Sequence, residues 1–203
     1  MLRVILLFFI CSFLLSAQNS KQLADSILKY KTNKPNLALE FGLKYDKLTA
    51  NRKPDGEKQN TYALLGEILL EMGFNASALD YLNRSVQIYT ALPKSEKNFP
   101  NIDQPPWVIL NIGSIYFKNG DHEKATEKYN QAIDLFENSG SVDAKFYGQN
   151  TSNSNLGLIE EAKGNYKKAE EIYYKVYQRR LEKEKKEDIL YSLAQLIAIK
   201  LLQ

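Results

Sequence analysis

The chain has 203 residues, of which 44% are apolar and 25% are charged, and this balance excludes wholesale disorder. Its formal net charge of +3 is too small to predict binding to nucleic acid. With one cysteine and one histidine, the chain cannot form an intramolecular disulfide or a zinc site of several thiolate and imidazole ligands.

The first 17 residues (1–17) are predicted to be a signal peptide and not part of the fold. Arg3 supplies a positive charge ahead of Val4–Leu15, an apolar run of 12 residues that is short for a membrane span. Ser16-Ala17 provides small residues before Gln18, so cleavage is expected near this point, and an uncleaved membrane anchor is the alternative. The mature protein is therefore predicted to be exported, to the periplasm or cell envelope.

Two amphipathic helices are predicted over residues 20–50. Apolar side chains recur at helical spacing along Ser20–Tyr30 and again along Asn36–Thr49. The segment Thr32-Asn33-Lys34-Pro35 separates the two helices, because proline disfavours helical backbone before it. Ala38 can serve as a small contact residue of the second helix.

A fixed set of intervals begins at Gly66. At three, seven, twelve and sixteen residues after it come Leu69, Gly73, Ala78 and Leu82. Glycine inside a helix costs about 1 kcal/mol relative to alanine. Gly66, on an apolar stripe, therefore predicts a contact that only a small residue permits, and Gly73 predicts the turn that follows.

The same intervals recur from Gly113 and from Gly157. The corresponding residues are Tyr116, Gly120, Ala125 and Tyr129 in the first set and Glu160, Gly164, Ala169 and Tyr173 in the second. Each set predicts a helix, a tight turn and a second helix, with the two backbones close together at the glycine and the alanine. Asp121 directly follows a turn glycine and is predicted to cap the second helix of its pair.

These intervals resemble the tetratricopeptide repeat (TPR), a helix–turn–helix unit of about 34 residues. The resemblance implies an all-α fold, a right-handed α-α superhelix built from antiparallel helix pairs. The divisions that it implies within residues 18–203 are a degenerate repeat at about 20–50, repeats at about 57–92, 105–139 and 141–184, and a half repeat at 187–203. Gly66, Gly113 and Gly157 lie 47 and 44 residues apart, so longer helices than those of the standard unit are expected.

In the TPR family the first helices of the repeats line a groove that binds a peptide or protein, and the resemblance implies the same use here. Projected from the family geometry, the residues of that groove are Glu67, Leu70, Glu71, Trp107, Leu110, Asn111, Ser114, Phe117, Lys118, Thr151, Ser154, Asn155, Leu158 and Glu161. Trp107 and Phe117 are the predicted anchors, because large aromatic side chains dominate interface energetics. The alternative is that Trp107 packs on the Pro-rich loop that precedes it. Asn111 and Asn155 each lie two residues before a repeat glycine, where the family commonly has asparagine.

The sequence predicts a binding scaffold with no catalytic residues and no cofactor. His122, the only histidine, has no cysteine or second histidine with which to hold a metal, and no nucleophile and base can be grouped around it. The implied partner is a protein or peptide of the cell envelope. The alternative is that the chain is the sensory N-terminal part of a truncated signalling protein, a histidine kinase or a DNA-binding regulator, with a membrane span beyond it.

The last predicted helix, Ile189–Leu202, has apolar side chains on all sides. At 14 residues it is too short to cross a bilayer. One side can pack on the preceding helix, and the other is predicted to be exposed. Large exposed apolar patches usually mark interfaces. A further helix, a second copy or another partner is expected to cover it.

The first prediction concerns processing of the N-terminus. Expression in a host with a general secretory pathway should yield exported protein that begins near Gln18. The reason is that a positive charge precedes the apolar run and small residues follow it, as in signal peptides. N-terminal sequencing of the exported material measures this, and recovery of intact Met1 in the membrane fraction would contradict it.

Overall fold

The computed structural model describes residues 19–93, 97, 105–183 and 185–203, and its regular structure over these residues is helical. In chain order the helices are α1 (residues 19–30), α2 (Pro35–Thr49), α3 (Gly56–Glu71), α4 (Asn75–Ala91), α5 (Pro105–Lys118), α6 (His122–Glu137), α7 (Val142–Ala162), α8 (Tyr166–Leu181) and α9 (Lys186–Leu201). The predicted fold class is confirmed, since the described residues form helix pairs joined by short turns. The predicted signal peptide lies outside the described residues.

The helices belong to two compact units, with the division between residues 103 and 104. In the first unit, which contains α1 to α4, helix α3 packs along α4 and also contacts α2. In the second unit, α5 packs on α6, α7 lies against both α6 and α8, and α9 packs on α8. Each helix thus packs mainly against its neighbours in sequence, which is the pattern of helix-pair repeats.

In three helix pairs, α3–α4, α5–α6 and α7–α8, a glycine in the first helix lets the second helix approach closely. A Cβ atom built on these glycines would lie 2.5 Å from Leu82 at Gly66, 2.8 Å from the Tyr129 ring at Gly113 and 2.3 Å from the Tyr173 ring at Gly157. In every pair the side chain that fills the space follows its glycine by sixteen residues. The sequence predicts that the glycine meets a small alanine, but the atoms nearest to it belong to a large side chain that lies over the bare backbone.

The turn between the two helices of each pair also depends on glycine. Gly73, Gly120 and Gly164 have φ values of 84°, 79° and 77°, in the left-handed region that other residues rarely adopt. The amide of the following residue then donates to a carbonyl five residues earlier, as Asp121 N does to Tyr116 O at 2.9 Å. The side chain of Asp121 accepts a hydrogen bond from the amide of Lys124, so the predicted cap is confirmed.

A charged network ties three helices of the first unit together. The carboxylate of Asp46 on α2 accepts hydrogen bonds from Tyr62 (2.7 Å), Tyr81 (3.1 Å) and Arg84 (2.9 Å). Burial raises the pKa of Asp46, but the hydrogen bonds from Tyr62 and Arg84 outweigh burial, and the pKa lies below its ordinary value. Burial and the same carboxylate raise the pKa of Tyr81 to about 12, so its hydroxyl remains a donor at neutral pH.

A buried lysine closes the end of α2. Lys58 is 5% exposed, and its ammonium donates to the carbonyl oxygens of Thr49 (2.7 Å) and Arg52 (3.4 Å). Burial lowers its pKa, and the two carbonyls supply hydrogen bonds that water would otherwise make. The end of α2 is therefore held by a side chain from α3, a contact that the sequence pattern does not predict.

The last two helices differ from the prediction at their shared boundary. Helix α8 ends at Leu181, and α9 begins at Lys186, earlier than the predicted start. Within the described part of the chain, no helix combines the length and the apolar character that crossing a membrane requires.

The second prediction tests the close approach of α5 and α6. Gly113→Leu should lower the free energy of unfolding by about 3 kcal/mol, because the new side chain would overlap the Tyr129 ring and overpacking is costly. Lys118→Leu, on the same helix but at an exposed position, should change it by less than about 0.5 kcal/mol. Chemical denaturation followed by circular dichroism measures both variants, and equal midpoints would contradict this packing.

Candidate functional site

Of the three predicted groove residues of the first unit, one is paired, one is buried and one is exposed. Glu67 on α3 forms an ion pair with Lys31 at 3.1 Å, which neutralises its charge. Leu70 is 8% exposed and packs in the core, whereas Glu71 is exposed at the end of the helix. The first unit therefore offers little unpaired polar surface at the predicted positions.

The two predicted aromatic anchors on α5 both have partners within the protein. The half-buried indole of Trp107 meets the ring of Phe136 edge-on, with centroids 4.8 Å apart, and Phe136 is fully buried. Phe117 stacks on His122 with centroids 5.5 Å apart. Trp107 thus has a partner on α6, most of the Pro-rich loop lies outside the described residues, and part of each ring remains at the surface.

The remaining predicted positions on α5 divide into core and surface. Leu110 is 5% exposed and belongs to the core. The half-buried hydroxyl of Ser114 donates to the Leu110 carbonyl oxygen at 3.2 Å and accepts from Tyr129 at 3.3 Å. Lys118 is exposed at the end of the helix. The hydroxyl of Ser114 is thus already committed to the protein.

On α7 several predicted groove residues are also committed to internal contacts. The hydroxyl of Thr151 donates to the Tyr147 carbonyl oxygen at 2.8 Å, and Ser154 is 3% exposed. Glu161 accepts a hydrogen bond from Tyr173 at 2.8 Å, and burial and this carboxylate raise the pKa of the phenol. Leu158 packs against the cluster of Ala169, Tyr173 and Ile199.

Among the predicted groove residues, two asparagines have amides without a hydrogen-bond partner in the described part of the chain. Asn111 on α5 and Asn155 on α7 are both half-buried, and neither has a hydrogen-bond partner among the described residues. Each lies two residues before the glycine that faces its second helix, so the two amides occupy the same position on their helices. Helices α5 and α7 are in contact, so the two amides, called here the amide pair, occupy corresponding positions on two neighbouring helices.

The corresponding position of the first unit carries no amide. There Leu64, two residues before Gly66, is 4% exposed and packs in the core. A side-chain amide has two N–H donors and a carbonyl acceptor, and it can bind both polar groups of a peptide backbone. The arrangement is therefore suited to holding an extended chain.

Among the described residues, no cluster of His, Cys, Asp and Glu side chains could hold a metal ion.

Sequence patterns indicate this amide pair but not the contacts around it. Asn111 and Asn155 are among the predicted groove residues because of their interval from the glycines. The ion pair of Glu67 and the ring contact of Phe117 involve Lys31 and His122, on neighbouring segments. No periodic signal marks such pairs, so only the structure separates available groups from committed ones.

Successive helix pairs with a recurrent glycine contact and a left-handed turn glycine define a TPR-type repeat protein. The family model described as "Soluble NSF attachment protein, SNAP" matches residues 55–187, which are 133 of the chain's 203 residues. The chain therefore belongs to the soluble NSF attachment protein family.

One curated relative shares part of the chain. The Photosystem I assembly protein Ycf3 of Rippkaea orientalis (strain PCC 8801 / RF-1) is 38% identical over 71 residues. This match covers 33% of the chain and spans 41% of that relative's length. The chain is therefore similar to a second TPR-type protein, and this similarity covers only part of each chain.

Solved structures of TPR-like proteins share the fold. The TPR-like repeats of a Podosopora anserina kinesin light chain superpose with a TM-score of 0.66 at 18% identity, covering 91% of this chain and 87% of that one. BtubC from P. vanneervenii gives 0.64 at 13% identity with coverage of 92% and 84%. MamA gives 0.59 at 22% identity with coverage of 81% and 80%. At these identities the likeness establishes the fold alone.

The third prediction separates packing from partner binding at Trp107. Trp107→Ala should lower the free energy of unfolding by about 2–3 kcal/mol, because it removes a half-buried indole from its edge-on contact with Phe136. Phe117→Ala, which removes a ring stacked on surface His122, should cost about 1 kcal/mol. Urea denaturation measures both, and a Trp107→Ala protein as stable as the wild type would contradict a packing role for Trp107.

Proposed function

We propose that this protein is a non-enzymatic scaffold that binds an extended segment of a protein partner across α5 and α7 of the second unit. The observation that carries the proposal is the pair of unpartnered, half-buried amides of Asn111 and Asn155 on adjacent first helices. The fold shared with TPR-like proteins supports a role in protein binding. The names of the family and of the curated relative, an attachment protein and an assembly protein, agree with such a role.

The spacing of adjacent helices suits an extended peptide. Packed helix axes lie about 8–10 Å apart, and an extended chain advances about 3.3 Å per residue. Two amides at matching positions would therefore bind backbone groups about three residues apart in the partner. Recognition through the backbone tolerates different sequences, and exposed Lys118 favours an acidic residue at one end of the bound segment.

We further propose that this binding takes place in the periplasm or cell envelope. The charged start and the 12-residue apolar run that follows it have the composition of an export signal, which supports this location. The partner would then be another envelope protein that presents an unstructured or extended segment.

The fourth prediction tests the amide pair. Peptides selected against the wild-type chain from a random displayed library should bind Asn111→Leu/Asn155→Leu at least about tenfold more weakly, since each lost neutral hydrogen bond costs about 1 kcal/mol. The matched control, Asn83→Leu/Asn130→Leu, changes two exposed asparagines on the second helices α4 and α6. Titration by fluorescence anisotropy measures the affinities.

The outcomes distinguish three cases. Loss of affinity in the first variant alone supports the proposed face. Equal affinity of both variants with the wild type contradicts it, as does equal loss in both, and loss in the control alone assigns binding to the second helices. Circular dichroism confirms that each variant is folded, because both pairs of positions lie at least partly at the surface.

A further inference from the structure

A third side-chain amide lies at the position that the amide pair occupies on α5 and α7. On each of α5, α7 and α9, two residues seven positions apart are buried, and an amide residue follows the first of them by three positions. These sets are Val108, Asn111 and Ile115 on α5, Ser152, Asn155 and Ile159 on α7, and Ser192, Gln195 and Ile199 on α9. Because helical position follows from spacing, Gln195 lies at the same angle to its buried neighbours as the two asparagines do.

Helices α7 and α9 are neighbours across the same part of α8. Both helices pack on α8, whose residues Ala169 and Tyr173 form a buried cluster with Ile199 of α9. Leu158 of α7 and Leu196 of α9 both pack against this cluster. Each of these leucines lies within one turn of the amide on its own helix. The series of corresponding amides therefore continues from α5 through α7 to α9.

The amide of Gln195 is covered, unlike those of the two asparagines. Gln195 is half-buried as a residue, but its Nε2 and Oε1 atoms are buried, and neither atom has a hydrogen-bond partner among the described residues. A buried amide without hydrogen bonds is destabilising, because it gives up its bonds to water and gains none in return. The long side chain has several staggered rotamers, so the amide can turn outward to a group that pairs with it.

We propose that Gln195 is the third backbone-binding amide of the site, so that the extended segment of the partner crosses α5, α7 and α9. This inference rests on the proposed function of the amide pair and extends that site by one helix. With helix axes about 8–10 Å apart and about 3.3 Å per extended residue, the three amides bind the segment at intervals of about three residues. A stretch of about seven residues therefore spans the site.

Gln195 then has opposite effects on the free chain and on the complex. In the free chain its covered amide lowers stability, because the amide has no hydrogen-bond partner among the described residues. In the complex the amide turns outward and exchanges hydrogen bonds with the backbone of the partner, which uses both its donors and its acceptor. A residue with a purely structural role would not separate stability from binding in this way.

Gln195→Leu tests the inference with two measurements. The variant should unfold at a higher urea concentration than the wild type, because leucine is apolar and leaves no unpaired amide in the covered position. Peptides selected against the wild-type chain should bind the variant about fivefold more weakly, as expected for the loss of a neutral hydrogen bond. Gln178→Leu makes the same change at an exposed position of α8, and this control should bind the peptides as the wild type does.

Shortening the selected peptides tests the three-helix span. Removal of about three residues from the end that lies at α9 should abolish the difference in affinity between the wild type and Gln195→Leu, since about three extended residues cover one helix. The same removal from the other end should preserve the difference. A difference that survives both removals would overturn the span, and a Gln195→Leu chain that binds as the wild type does, or unfolds at a lower urea concentration, would overturn the role of Gln195.

The amide pair shows separately whether the proposed function fails. If Asn111→Leu/Asn155→Leu binds the peptides as the wild type does, the proposed function is contradicted and the inference fails with it. If that double variant loses affinity while Gln195→Leu keeps it, the site ends at α7 and only the present inference is overturned. Equal losses in Gln195→Leu and the Gln178→Leu control would also overturn it.

Discussion

The close approach of paired helices at a glycine is the constraint on which the other contacts depend. Tyr129 and Tyr173 lie over Gly113 and Gly157 at distances that leave no room for a Cβ atom. Their phenol groups then extend past the glycine, where the hydroxyl of Tyr129 donates to Ser114 and that of Tyr173 donates to Glu161. One small residue therefore sets both the helix spacing and the position of the polar groups beyond it.

This arrangement explains which polar groups of the second unit are free. The rings that cover the glycines bring hydroxyl donors to Ser114 and Glu161, while Thr151 donates to its own helix. Asn111 and Asn155 lie two residues earlier on their helices, beyond the reach of these donors. Asn150, Ser152 and Ser154 of α7 also lack a hydrogen-bond partner among the described residues, but they are buried, whereas Asn111 and Asn155 are only half-buried.

Consecutive helix pairs are joined by the same two kinds of contact in both units. In the first, Asp46 joins α2, α3 and α4 through two tyrosines and Arg84, and Gly42 of α2 leaves room for the side chain of Leu65 on α3. In the second, Gly148 brings α7 against the ring of Phe136 on the preceding helix, and Lys145 of α7 pairs with Glu137 of α6.

The sequence by itself determined the repeat: recurrent intervals from Gly66, Gly113 and Gly157 predict the helix pairs, and Gly73, Gly120 and Gly164 predict their turns. Local patterns suffice because helical period, capping and left-handed turns depend on residues close together in the chain. Only the tertiary structure decided that Trp107 packs on Phe136, that Glu67 is neutralised by Lys31 and that Leu70 and Leu110 are buried. Those outcomes depend on which side chains from distant segments meet, and intervals within one helix carry no record of that.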